Sequence, residues 1–90
     1  MDNRVSDIIM KLREIAELLY QENIQDAYRN LALVIPQLDE ILNDVNDEER
    51  RRELTEKLIN ALDAMENEDY TFLADTIQYE LVEVLNDIDV

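Results

Sequence analysis

DYTFLADTIQYELVEVLNDIDV, residues 69–90, decides the fold. At about 100° per residue, Tyr70, Leu73, Ala74, Ile77, Leu81, Val84, Leu85 and Ile88 fall on one stripe of a helix, which asks for partners within the chain. Phe72 and Tyr79 fall on the opposite side, where the same core does not reach, so they ask for something outside it. Glycine is absent from the whole chain and Pro36 is its one proline. With β-branched runs short as well, nearly every position favours helix over strand. An all-α fold follows.

Three more amphipathic stretches precede this one. The spacing predicts a helix over 47–66 with the core face Leu54, Leu58, Ala61, Leu62 and Met65. Asp47, Glu48 and Glu49 suit its N-terminus, and Asp47 with Arg51 and Glu48 with Arg52 form acid-before-base pairs at i, i+4, each worth about 0.2–0.5 kcal/mol. Asn67 marks the next turn, and Asp69 is the expected N-cap. A helix over 24–45 carries Ile24, Ala27, Tyr28, Leu31, Val34, Ile35, Leu38, Ile41, Leu42 and Val45. Pro36 removes the amide that would bond the carbonyl of Ala32, yet the stripe keeps its direction on both sides, so the helix is expected to continue with a kink, a true break at Ile35 being the alternative. The first helix, over 3–20, follows Asp2 as N-cap and buries Val5, Ile8, Ile9, Leu12, Ile15, Ala16 and Leu19. A break over 21–25 separates the first two helices, with Asn23 expected to take the left-handed conformation.

Four helices joined by short turns run alternately up and down. The expected architecture is a single-domain antiparallel up-down four-helix bundle, helix 2 kinked at Pro36, with helices over about 3–20, 24–45, 47–66 and 69–87. LDEILNDV (38–45) and LVEVLNDI (81–88) match closely. Duplication of a helical hairpin and convergence of two amphipathic helix ends account for that match equally well.

Composition excludes more chemistry than it suggests. There is no cysteine and no histidine, which removes disulfides, thiolate metal sites and the commonest general base. The net charge of −15 comes from 23 acids against 8 bases, and no Lys or Arg follows Lys57. Such a field repels phosphate backbones and anionic membranes and attracts basic partners, so neither nucleic acid nor membrane is an expected partner. The first residues are interrupted by charges and lack the apolar run of a signal peptide. A cytoplasmic location is expected.

Paired carboxylates are the one catalytic pattern left to weigh. Glu14 with Glu17, and Glu53 with Glu56, have the local spacing of the helical nucleotide pyrophosphohydrolases, which hold metal ions between facing helices. Both pairs point away from the apolar stripe of their own helix, so catalytic residues, cofactors and metal ligands are all expected to be none. Asp44, Asn46 and Glu48, and Asn67, Asp69 and Thr71, echo a calcium loop without its glycine or its closing glutamate in register. At the chain's end, Asp87, Asp89 and the terminal carboxylate crowd a helix C-terminus. They imply a frayed last turn or, less simply, a clamp for a cation or basic segment.

Apolar residues that point outward carry the remaining information. Besides Phe72 and Tyr79 they are Met10 and Leu18 on helix 1, Leu33 on helix 2, and more marginally Ile59 and Val82. Helices 1 and 4 are neighbours in an up-down bundle, so their outer faces are expected to merge into one patch. The interface assigned on this basis comprises Phe72, Tyr79, Met10, Leu18 and Val82. Its expected occupant is a second copy in a two-fold homodimer; a helical or basic segment of another protein, or a wider core that absorbs these residues, are the alternatives. The functional expectation is a non-enzymatic interaction module, a self-associating adaptor or small chaperone-like bundle. An acidic mimic of nucleic acid that blocks a DNA- or RNA-binding protein is the alternative, and a metal-dependent nucleotide hydrolase the third.

Ala61-Leu62, Asn67, Asp69-Tyr70, Leu73-Ala74-Asp75 and Tyr79-Glu80-Leu81, with Ile35-Pro36-Gln37-Leu38 more loosely, carry a resemblance. On them the chain is similar to a family of small acidic helical proteins from Gram-positive bacteria that has no assigned activity. The resemblance spans helices 2 to 4 and implies a helical bundle. Members of that family tend to carry an extra apolar segment after the Pro36 region, where this chain is shorter.

Overall fold

Acidic side chains start three of the helices. In the computed structural model, which describes residues 2–88, Asp2 accepts the Arg4 amide at 2.7 Å and opens α1 (Asn3–Tyr20). Asp47 accepts the amides of Glu49 and Arg50 at 2.9 and 3.3 Å and opens α3 (Glu48–Glu66). Asp69 accepts the Phe72 amide at 3.2 Å and opens α4 (Tyr70–Asp75). Each such cap satisfies amides that have no partner inside the helix and is worth about 1 kcal/mol. α2 (Ile24–Asp44) lacks one, because the Asn23 side chain donates to Asp26 at 3.1 Å instead.

Asn23 is not the left-handed residue; Glu22 is, at φ 62°. The hydrogen bonds give the reason. The amide of Glu22 returns to the carbonyl of Leu19 at 3.0 Å and that of Asn23 to Leu18 at 2.8 Å, a pattern that forces the residue just past the helix end to turn left-handed whatever its side chain. The turn after α3 repeats it: Glu68 stands at φ 57°, its amide bonded to Met65 and that of Asp69 to Ala64. In a chain without glycine, glutamate takes both positions.

α2 runs unbroken through Pro36. The fourth helix holds the irregularity. Its first segment, α4, passes into a π-helical stretch, Thr76–Leu81, and then into α5 (Val82–Asp87). The Val82 amide bonds the carbonyl of Ile77, five residues back. One extra residue in a turn rotates everything after it, so Leu81 and Val82 both face inward.

α1 lies between α2 on one flank and the fourth helix on the other, and α3 packs against the fourth helix. The antiparallel sense is fixed by pairs such as Arg4 with Asp44 at 2.8 Å and Lys57 with Glu80 at 3.1 Å. The bundle measures 36 × 23 × 19 Å. Ile8, Leu12, Ile15, Leu38, Ile41, Leu54, Leu73, Ile77, Leu81 and Leu85 form its fully buried centre, each worth about 1.5–3 kcal/mol of burial.

α2 and α3 approach each other at few positions, although Tyr28 donates to the Met65 carbonyl at one end and Arg51 to the Val45 carbonyl at the other. This separation corrects the core face expected for α3. The line toward the fourth helix, Leu54, Ala61 and Ala64, is buried. Along the line toward α2, Leu58 and Met65 are only half-buried and Leu62 is 41% exposed.

Candidate functional site

The solvent side of the fourth helix presents Phe72, Asp75, Tyr79 and Glu83 along successive turns. Phe72 is 48% and Tyr79 63% exposed, as the sequence stripe requires. Tyr79 belongs to the π-helical stretch, the one departure from α geometry in the helices among the described residues. Such bulges are frequent at functional sites. Beneath it Thr76 is 1% exposed, and its hydroxyl has no partner among the described residues.

Tyr20, which the sequence reading had not singled out, braces this face from α1. Its hydroxyl donates to Asp75 at 2.5 Å. That hydrogen bond, reinforced by burial and by the charge of Asp75, pushes the phenol up to about 12. The bond ties the last turn of α1 to the fourth helix. The only early sign of it was position, since Tyr20 closes α1 just beyond the core stripe.

Of the five residues assigned to the interface, Met10 joins Phe72 and Tyr79 in being well exposed, at 60%. Val82 does not: it is 4% exposed and belongs to the core. On an unbroken helix Val82 stands half a turn from Leu73; the π-helical residue brings it round. Leu18 is half-buried against the core. At 100° per residue it lines up with Arg4 and Lys11, which reach Asp44 and Gln37 on α2, so it flanks α2 and not the fourth helix. Met10 and Leu18 both border an open trough of about 700 Å³ lined by α1 alone, with Ile9, Arg13, Glu14 and Glu17. The outer faces of helices 1 and 4 therefore meet through Tyr20 and Asp75, and the patch narrows to Phe72 and Tyr79.

The carboxylates are distributed, not gathered. Glu14, Glu17 and Glu56 are exposed and Glu53 pairs with Arg50 at 2.9 Å. Among the described residues no group of three or more His, Cys, Asp or Glu is placed to hold a metal ion. The Asp47–Arg51 and Glu48–Arg52 pairs do not form. Asp47 is occupied by backbone amides, and Arg51 turns back to the Val45 carbonyl at 2.7 Å. Of the residues in the calcium-like stretches, Asp44 pairs with Arg4 and Asp69 caps α4. Asp87 is exposed, while Asp89 and the terminal carboxylate lie outside the described residues.

Five of the eight cations are engaged: Arg4 with Asp2, Glu40 and Asp44, Lys11 with Asp7, Arg29 with Asp26, Arg50 with Glu53, and Lys57 with Glu80. The Glu80 contact holds the Lys57 ammonium above its ordinary value. The exposed charged residues on the fourth helix and its cap are Asp69, Asp75, Glu83 and Asp87. No helix among the described residues is long and apolar enough to cross a membrane.

A family model described as a domain of unknown function matches residues 2–89. No curated protein and no solved structure matches the chain.

Proposed function

The chain belongs to the DUF8042 family of domains of unknown function, and from that premise we propose that it is a non-enzymatic protein-interaction module whose docking face is the solvent side of the fourth helix. The reading is carried by one observation. Two large aromatic side chains, Phe72 and Tyr79, stand exposed on a helix face whose other exposed charges are all acidic, over the one π-helical stretch among the described residues. An apolar strip with an acidic rim fits a helical segment that carries its own apolar stripe and basic flanks. The proposal includes a bacterial, Gram-positive and cytoplasmic setting.

The test uses a synthetic amphipathic helix of leucine and lysine. Binding should weaken about tenfold when Phe72 and Tyr79 are both changed to Ser. Neutralising Glu14 and Glu17 on the far side of α1 should alter it by less than about twofold. Equal losses for both variants would reduce the interaction to undirected charge attraction and remove the docking face. The nucleic-acid mimic remains a second reading, supported by the net charge of −15. It requires binding that falls steeply with salt and ignores Phe72 and Tyr79.

A further inference from the structure

Asp75 is exposed on the fourth helix and pairs with no cation among the described residues. Three exposed aromatic side chains stand around it. Phe72 lies three residues before it and Tyr79 four residues after it, the spacings that make side chains neighbours on a helix surface. Tyr20 reaches it from α1, its hydroxyl donating to Oδ1 at 2.5 Å. The phenol, held up mainly by that bond, is raised further by Tyr79, which therefore stands close by. The bond fixes the carboxylate without neutralising it, because a phenol carries no charge, and it leaves Oδ2 without a donor among the described residues.

The charge around this carboxylate selects its occupant. Asp69, Glu83 and Asp87 are the other exposed charges of the fourth helix and its cap, and Lys57, which reaches that helix from α3, is taken by Glu80. On α1, Glu17 lies three residues before Tyr20 and Arg13 seven, and because the two helices run antiparallel Arg13 falls about two turns away from Asp75, toward the Glu83 end. A second copy meeting its twin here would set Asp75 and Glu83 against carboxylates. We propose that Asp75 is the seat of a basic side chain of the docked helix, whose cation pairs with Oδ2 while the rings of Tyr20, Phe72 and Tyr79 enclose it. The proposal rests on the fourth helix being the docking face. Aromatic faces attract a cation and cover the methylene groups behind it, and the carboxylate supplies the full charge that rings lack. Tyr20 acts as a positioning residue, holding the carboxylate among the rings.

Calorimetric titration of the full chain and its variants with the leucine–lysine helix tests the proposal. Asp75→Asn keeps an oxygen for the Tyr20 hydroxyl and removes only the charge, and it should weaken binding about tenfold. Glu83→Gln removes the same charge from the same face outside the three rings, and should change binding by less than about twofold. Tyr20→Phe keeps the ring but frees the carboxylate. It should weaken binding about threefold and retain the salt dependence of the unaltered chain, which Asp75→Asn should flatten. In proton NMR spectra a lysine ε-methylene signal of the peptide should move upfield on binding, as protons held over aromatic rings do, and should stay in place with Asp75→Asn. Equal losses for Asp75→Asn and Glu83→Gln overturn the proposal, as does undiminished binding by Asp75→Asn. Undiminished binding by Tyr20→Phe removes the positioning role. If Phe72→Ser with Tyr79→Ser weakens binding while Asp75→Asn does not, the docking face stands without its cation seat; if neither does, the docking face itself fails.

Discussion

Helices 2 and 4 carry the two irregularities of this bundle, and they are opposite in kind. α2 contains a proline mid-helix and stays helical from Ile24 to Asp44. The fourth helix contains neither proline nor glycine, yet changes to π geometry over Thr76–Leu81. A covalent fault is local, since Pro36 deletes one amide and exposed Ala32 can turn its freed carbonyl to water. Packing faults are set at a distance. The fourth helix must satisfy α1 and α3 at once, and one additional residue per turn brings Leu81 and Val82 inward together. A helix interrupted by its own sequence can remain regular, whereas one gripped on two sides yields where its neighbours require it.

The sharpest way to break this comparison is Val82→Asp. An unbroken α-helix would hold that carboxylate in water at little cost, but the π-helical turn buries it, so chemical denaturation should report a loss of about 3 kcal/mol. A loss below about 1 kcal/mol would mean that the last segment is not rotated. Pro36→Ala comes next: restoring the amide should stabilise the protein by about 1–2 kcal/mol, since the helix is already formed around the gap. Destabilisation there would show that the proline shape is needed for packing. Thr76→Val removes a buried hydroxyl with no partner and should raise stability by about 1 kcal/mol in the same assay.

Both helices are entered through the same left-handed turn, which sharpens the comparison further. Glu22→Gly and Glu68→Gly should each gain about 0.5 kcal/mol and to similar extents, because the backbone requirement is identical. The smallest effect is titrimetric. Tyr20 has its phenol raised from 10.0 to about 12 by Asp75, so the neutral form contributes stability fully below pH 10 and that contribution disappears as pH rises through about 12. Ultraviolet titration should show Tyr20 ionising late, and Asp75→Asn should bring it earlier.

Legibility followed the range of the forces involved. Asp2, Asp47 and Asp69 were recognisable as helix starts because a cap acts over two or three residues, and helix limits were recognisable from the apolar spacing. Phe72 and Tyr79 were recognisable as outward because they precede or fall within the π-helical turn, before its rotation has accumulated. Val82 follows it and was misplaced for that reason. Leu62 was misassigned because its burial depends on how closely α2 approaches α3. The partners of Arg51 and Tyr20 lie across the bundle or across a turn, where spacing along one helix has no information.

By itself the sequence determined the four amphipathic helices, the acidic character of the surface, the exposed Phe72 and Tyr79, and the absence of histidine and cysteine chemistry. Interactions within one helical turn and the covalent composition are sufficient for all of these. Only the tertiary structure decided the π-helical rotation of the last segment, the left-handed glutamates, the open side of α3 and the Tyr20–Asp75 tie. Each of these is settled by which neighbouring helix fills the space beside a residue, and that depends on the three-dimensional packing of all four helices together.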